Sequence, residues 1–156
     1  MQKTDDFIFR RIVWKATQYK LPTNDVVFFK DIAIEMQNYL TKQLEFSKSG
    51  IPTLFFTNVN TKSWTLVCTR QILFNTDNQI NSIDISNIAR IRPTFLANFT
   101  KNPIMAFKEK HTAKGDWYQL TIFDKANNEY IMEANKGGEL FALWNILLML
   151  RCFFDE

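Results

Sequence analysis

Apolar and polar residues alternate with two different periods along this chain, and the change falls near residue 50. Before it the period is helical. Phe9, Ile12, Val13 and Ala16 recur at three- and four-residue spacing behind Asp5 and Asp6 as possible caps, which predicts a helix over 5–19. The run Leu21-Pro22-Thr23-Asn24-Asp25 interrupts it. Phe29, Ile32, Ala33, Met36, Leu40 and Leu44 then make one apolar stripe, and Lys30, Asp31, Glu35, Gln37, Asn38, Lys42 and Glu45 fall mostly off it. That spacing predicts a second helix over 24–46, of roughly 20 residues. Ser47-Lys48-Ser49-Gly50-Ile51-Pro52 breaks the helical pattern.

Beyond that break the pattern is one of short strands. Runs rich in β-branched and aromatic residues predict strands over 54–57, 63–68, 72–74, 79–84, 88–92, 104–110, 117–123 and 129–133, with polar turns between them. Pro93 stops the fifth, and 94–103 reads as a connection. Strands at this spacing point to an antiparallel barrel or sandwich and not to βαβ units. After Gly137 and Gly138 the helical period returns over 139–153. Leu140, Leu143, Trp144, Leu147 and Leu150 form one face, and Phe141, Ile146 and Leu148 fill much of the rest. A helix apolar nearly all round must be covered on more than one side. The sheet supplies one cover. The 24–46 helix is the expected second cover, and a homodimer partner is its competitor. The expected class is α+β, with an N-terminal helical segment over 1–50 and a strand-rich domain over 51–156.

The stretch from Trp64 through Arg70 to Phe74 resembles the strand–turn–strand hairpin of bacterial pleckstrin-homology-like (PH-like) and GRAM-like domains. The stretch from Ile83 to Ile91 is similar to the segment that follows it in those families, with Asp84 where they often carry proline. Trp144 resembles the tryptophan of the closing helix, which packs against the barrel in PH domains. The resemblance covers 51–154. It implies an antiparallel barrel capped by the C-terminal helix, and a binding module in place of a catalyst. The families that hold phosphoinositides use a cluster of basic residues in the first hairpin. Here that loop carries only Lys62, so a membrane surface is not the favoured partner.

Composition narrows the picture further. Hydrophobic residues are 46% and charged residues 22%, as in a globular domain, and the 156 residues suit a single core. The 19 basic and 16 acidic side chains nearly cancel to +3, so no nucleic-acid partner is expected. Cys68 and Cys152 each sit in an apolar run and read as buried free thiols, which fits a reducing compartment. The polar start has no secretory pattern, and 140–150 is too short to cross a bilayer of about 30 Å. The expected location is the cytoplasm. The one histidine, His111, has no metal-ligand spacing around it, and no nucleophile elbow or phosphate loop occurs, so neither a cofactor nor an enzymatic activity is expected.

What remains is recognition. The segment 94–103 mixes apolar side chains with loop formers, and Phe95, Leu96, Phe99 and Lys101 are the candidate partner-binding residues. The expected function is a non-enzymatic protein-interaction module, either an adaptor or an immunity protein that neutralises a toxin. Its alternative is binding of an anionic lipid head group or phosphate ligand through Lys62, Arg70, Arg90 and Arg92.

Overall fold

The computed structural model describes residues 2–101 and 114–155. The expected strand over 104–110 and His111 lie outside them. The first helix, α1 (Asp5–Gln18), is capped by Thr4, whose Oγ1 accepts a hydrogen bond from the Phe7 amide at 3.2 Å. Ile8, Ile12 and Ala16 repeat every four residues and are fully buried. There follow β1 (Val26–Phe28), α2 (Ile34–Gln43) and a single turn, α3 (Phe46–Ser49). The strand-rich part comprises β2 (Pro52–Thr57), β3 (Trp64–Cys68), β4 (Gln71–Thr76), β5 (Gln79–Asp84) and β6 (Ile88–Pro93). After α4 (Thr94–Lys101) come β7 (Gln119–Asp124), β8 (Glu129–Glu133) and the closing helix α5 (Gly138–Phe154).

The strands form two antiparallel sheets. One has the order β1-β2-β3-β4-β5, the other β6-β7-β8. Period-two alternation sorts the larger sheet into two buried faces. Val26, Leu54, Phe56, Val67, Ile72, Phe74 and Ile83 point into the main core. There they meet α1, the apolar positions of α5, and Ile91, Leu120, Ile122 and Met132 of the smaller sheet. Phe55, Trp64, Leu66, Cys68 and Leu73 point the other way, under Leu40 of α2. All five positions of β3 are therefore buried.

The two sheets do not close into a continuous ladder, because β8 pairs with β7 on one side only. Side chains from the larger sheet and its β2–β3 loop meet carbonyls of β8 and the residue after it. Thr76 Oγ1 donates to the Ile131 carbonyl at 2.7 Å, Thr65 Oγ1 to the Glu133 carbonyl at 3.0 Å, and Asn58 Nδ2 to the Ala134 carbonyl at 3.0 Å. The two sheets thus share a seam of side-chain hydrogen bonds.

The 24–46 segment is not one helix. Val26, Val27 and Phe28 pair with Phe56, Phe55 and Leu54 and extend the sheet. Two adjacent β-branched residues beside an open strand gain more from pairing than from helix formation. The chain then turns through Phe29–Asp31 before α2 begins. The apolar stripe survives in part, since Phe29, Ile32, Leu40 and Leu44 all pack on the outer cluster, but Met36 is exposed. The second cover of α5 is consequently α1, with Phe7 edge-on to Phe153 at 5.6 Å. The connection after Pro93 is also helical, as α4.

Gly50 ties the N-terminal helix to the sheet. Its φ is +72°, and a Cβ there would lie 2.0 Å from Thr69 Oγ1. That hydroxyl donates to Asp5 Oδ1 at 2.8 Å and accepts from the Ile51 amide at 2.9 Å. Arg70 completes the joint, with Nε on Asp5 Oδ1 at 2.7 Å and Nη2 on the Lys3 carbonyl at 2.8 Å.

Replacing Thr65 by the isosteric Val leaves the buried Glu133 carbonyl without its side-chain donor. We expect a loss of ~1–3 kcal/mol in urea unfolding, against less than ~0.5 kcal/mol for the exposed Thr17→Val control. A second expectation concerns the β7–β8 turn. Asp124 accepts from Asn128 Nδ2 and the Asn128 amide at 3.0 and 2.8 Å, and also from Tyr130 Oη and the Ala126 amide. These bonds, Asn128 first, hold its carboxyl below the usual range. A carboxyl depressed by folding stabilises above its unfolded value of about 3.9 and loses that contribution as pH falls through the lower folded value. Urea midpoints measured down through that window should fall with acid, and Asp124→Asn should flatten the fall. An unchanged slope would contradict the assignment.

Candidate functional site

The larger sheet ends unevenly at its β1 edge. Pairing of β1 with β2 stops at Phe28 opposite Leu54, and the chain turns away where Phe29 would otherwise have met Thr53. The departure opens a groove of about 340 Å³ between α1 and the start of β2. Phe9 and Val13 of α1 form one wall. Phe28 and Phe29 form another, and Ile51 and Pro52 the third, with Lys30 contributing a cation. Phe9 and Val13 lie one turn apart, beside the buried Ile8–Ile12–Ala16 stripe and not within it. Ile51 is 38% exposed and presents its side chain at the groove. The arrangement suits apolar side chains of an incoming chain. Its polar lining is Lys30 and Thr53, whose hydroxyl donates to the Ile51 carbonyl at 2.9 Å.

A second hollow of about 240 Å³ lies between α4 and the start of β7. Phe95 stacks on Trp117 with ring centres 5.2 Å apart and planes 22° apart. Trp117 leads to Phe141 and Phe141 to Trp144, each step 6.2 Å. Phe95 and Leu96 are half-buried and pack on the main core. Phe99 and Lys101 belong to α4, and their side chains lie outside the described residues. The four candidate partner-binding residues are thus carried on one helix, of which the Phe95 side is drawn into an aromatic row that ends on α5.

The four alternative anion-binding residues are spread over the surface. Lys62, at φ +66°, and Arg70 lie beyond opposite ends of β3, a five-residue strand spanning about 16 Å. Arg70 is engaged by Asp5 and lies against the Phe154 ring at 5.6 Å. Arg90 and Arg92 are exposed on one face of β6, and Arg90 lies over Phe123 at 4.4 Å.

Glu133 is a finding that alternation did not suggest. It is buried although it is a charged residue at the end of β8. Its Oε1 accepts from Thr61 Oγ1 at 2.6 Å and its Oε2 from Gln119 Nε2 at 2.9 Å. Neutral donors thereby hold both oxygens and fix the β2–β3 turn on β8. Among the described residues no three His, Cys, Asp or Glu side chains converge as metal ligands, and no helix is long and apolar enough to cross a membrane. Comparison with known protein families, with curated proteins and with solved structures finds no match.

The thiols differ from the expectation that both are buried. Cys68 is enclosed by the outer cluster, and burial pushes its thiol up to about 12. Cys152 is exposed, because its position in α5 turns away from the core that Leu143, Leu147 and Leu150 enter. A thiol reagent at mild alkaline pH should therefore label Cys152 quickly and Cys68 only after denaturation. Equal rates in the native protein would contradict this placement, and Cys152→Ser identifies the fast site.

Proposed function

We propose that this chain is a non-enzymatic protein-interaction module built on a PH-like scaffold, of the adaptor or toxin-neutralising type. The scaffold reading is supported by the order of elements. Four successive antiparallel strands, β2 to β5, are followed by three, β6 to β8, and then by one closing helix. Trp144 is half-buried against the core, which supports the same reading. The binding reading is carried by the groove beside α1: a concave apolar surface of about 340 Å³ with Ile51, 38% exposed, at its edge. Folding alone does not require an apolar hollow open to water, whereas docking of a partner's apolar side chains does.

The test is retention of a partner from lysate of the native host on the tagged full chain, compared with Ile51→Glu. Ile51 is 38% exposed, and a melting curve of the variant checks that it stays folded while the substitution places a charge in the groove. A stoichiometric protein retained by the wild type should bind at least about tenfold more weakly to the variant, since the apolar contact of Ile51 is lost and a carboxylate must be desolvated on docking. A partner retained equally by both proteins would place recognition elsewhere, and retention of nothing would remove the support for a protein-binding role.

A further inference from the structure

The outward face of α1 carries a charge pattern that neither the fold nor the groove uses. The first 20 residues hold five basic and two acidic side chains, so the whole excess of +3 resides in them and the other 136 residues are neutral in sum. Both acids are engaged: Asp5 by Arg70 and Thr69, Asp6 by Arg10. At about 100° per residue, Phe7, Arg10, Arg11, Trp14, Lys15 and Gln18 fall within about 140° of arc, away from the buried Ile12 and Ala16 and bordered by the buried Ile8, with Phe7 at the end that also meets Phe153. That arc contains no acid. Its two aromatic rings are 40% and 46% exposed and stand two turns apart. Each ring is flanked by a cation of its own segment, with Lys3 at 5.3 Å from Phe7, and Arg11 at 4.3 Å and Lys15 at 6.0 Å from Trp14.

We propose that this face of α1 rests on an anionic membrane surface. A convex helix that presents aromatic rings and cations at one depth matches the headgroup boundary, where rings settle among acyl chains and cations meet lipid phosphates and carboxylates. The surface has no need of matched acidic positions on a folded partner. It is also distinct from the first-hairpin position, where only Lys62 stands. The helix lies flat on the membrane and does not enter it, because Ile8, Ile12 and Ala16 are committed to the core and Phe7 also meets Phe153 of α5. The groove beside it stays free for a partner, so the inference adds a location to the proposed binding role and does not depend on it.

The test is co-sedimentation of the full chain with vesicles of phosphatidylcholine, with and without roughly one-third phosphatidylserine. Binding is expected only with the anionic lipid, and it should weaken when salt is raised from about 0.1 M to about 0.5 M. Arg11→Glu with Lys15→Glu should reduce binding by at least about tenfold, and Trp14→Ser by about threefold. Arg90→Glu with Arg92→Glu makes the same change of net charge on another face and should alter binding by less than about twofold. Absence of phosphatidylserine-dependent binding overturns the proposal. So does an equal loss in both double variants, which would mark attraction by net charge alone. Binding of soluble polyglutamate through Arg11 and Lys15 without vesicle binding also overturns it, in favour of an acidic protein segment. Ile51→Glu should leave vesicle binding intact, which separates failure here from failure of the groove.

Discussion

The architecture turns on how one strand edge is satisfied. A buried carbonyl without a donor costs as much as a hydrogen bond is worth, or more. The strand β8 has a ladder partner on one side only, and its other side faces the interior of the larger sheet. Three side chains supply what a ninth strand would: Thr76, Thr65 and Asn58 donate to the carbonyls of Ile131, Glu133 and Ala134. The side chains of Thr65 and Thr76 point inward in the same alternation as Phe56 and Phe74. That places a hydroxyl at two positions of a face otherwise made of hydrocarbon. Because the seam uses side chains, the sheets need not share a register or direction. They can enclose a wedge-shaped core, and α5 fills it. Asn135 extends the same joint, accepting from the Val59 amide and donating to Asp25 and Glu139, which anchors the start of α5 to both the β2–β3 loop and the chain before β1.

That arrangement decides what the N-terminal part must do. A wedge filled by a helix apolar nearly all round leaves one flank of α5 uncovered by strands. Ile8, Ile12 and Ala16 close that flank, while β1 joins the larger sheet and α2 covers its outer face over Leu40. The Asp5–Arg70–Thr69 joint then fixes the start of α1 against the β3–β4 turn, and it works only because Gly50 leaves room for the threonine hydroxyl.

Much of this is written in the residues at short range. The strands over 79–84 and 129–133 and the helix near 139–153 follow from alternation or from a three-four period that a single environment produces. The segment 24–46 misled for a physical reason. Its stripe is genuine, but a stripe records burial and not conformation, and Val26 and Val27 meet their environment in a strand. Placing them there depends on an unpaired edge of β2 far along the chain, which no local pattern displays. The same applies to Glu133, whose burial depends on Thr61 and Gln119 arriving from two other elements. The groove was half legible. Phe9 and Val13 were visible as apolar positions of the first helix, but separating them from Ile12 and Ala16 required knowing which side α5 occupies. Phe95 and Leu96 were visible as apolar residues, and their half-buried state follows only from the core they meet, for Phe95 the Trp117 ring.

The charge on α1 shows how the fold and the proposed contact can coexist. A helix that folds only on reaching a membrane must offset the ordering of its own backbone from the binding energy. Here α1 is already ordered by Ile8, Ile12 and Ala16, capped by Thr4, and fixed at its start by Arg70. The rings of Phe7 and Trp14 are held beside their cations before any contact is made. A preordered face loses little entropy on docking, so a few cations and two rings suffice for a reversible association. Strengthening it would require more apolar surface exposed to water in the free protein, which raises the risk of aggregation. The arrangement of two separated rings, each covered in part by a cation, keeps exposed apolar area small in solution and leaves the cations free to turn toward phosphate when it is near.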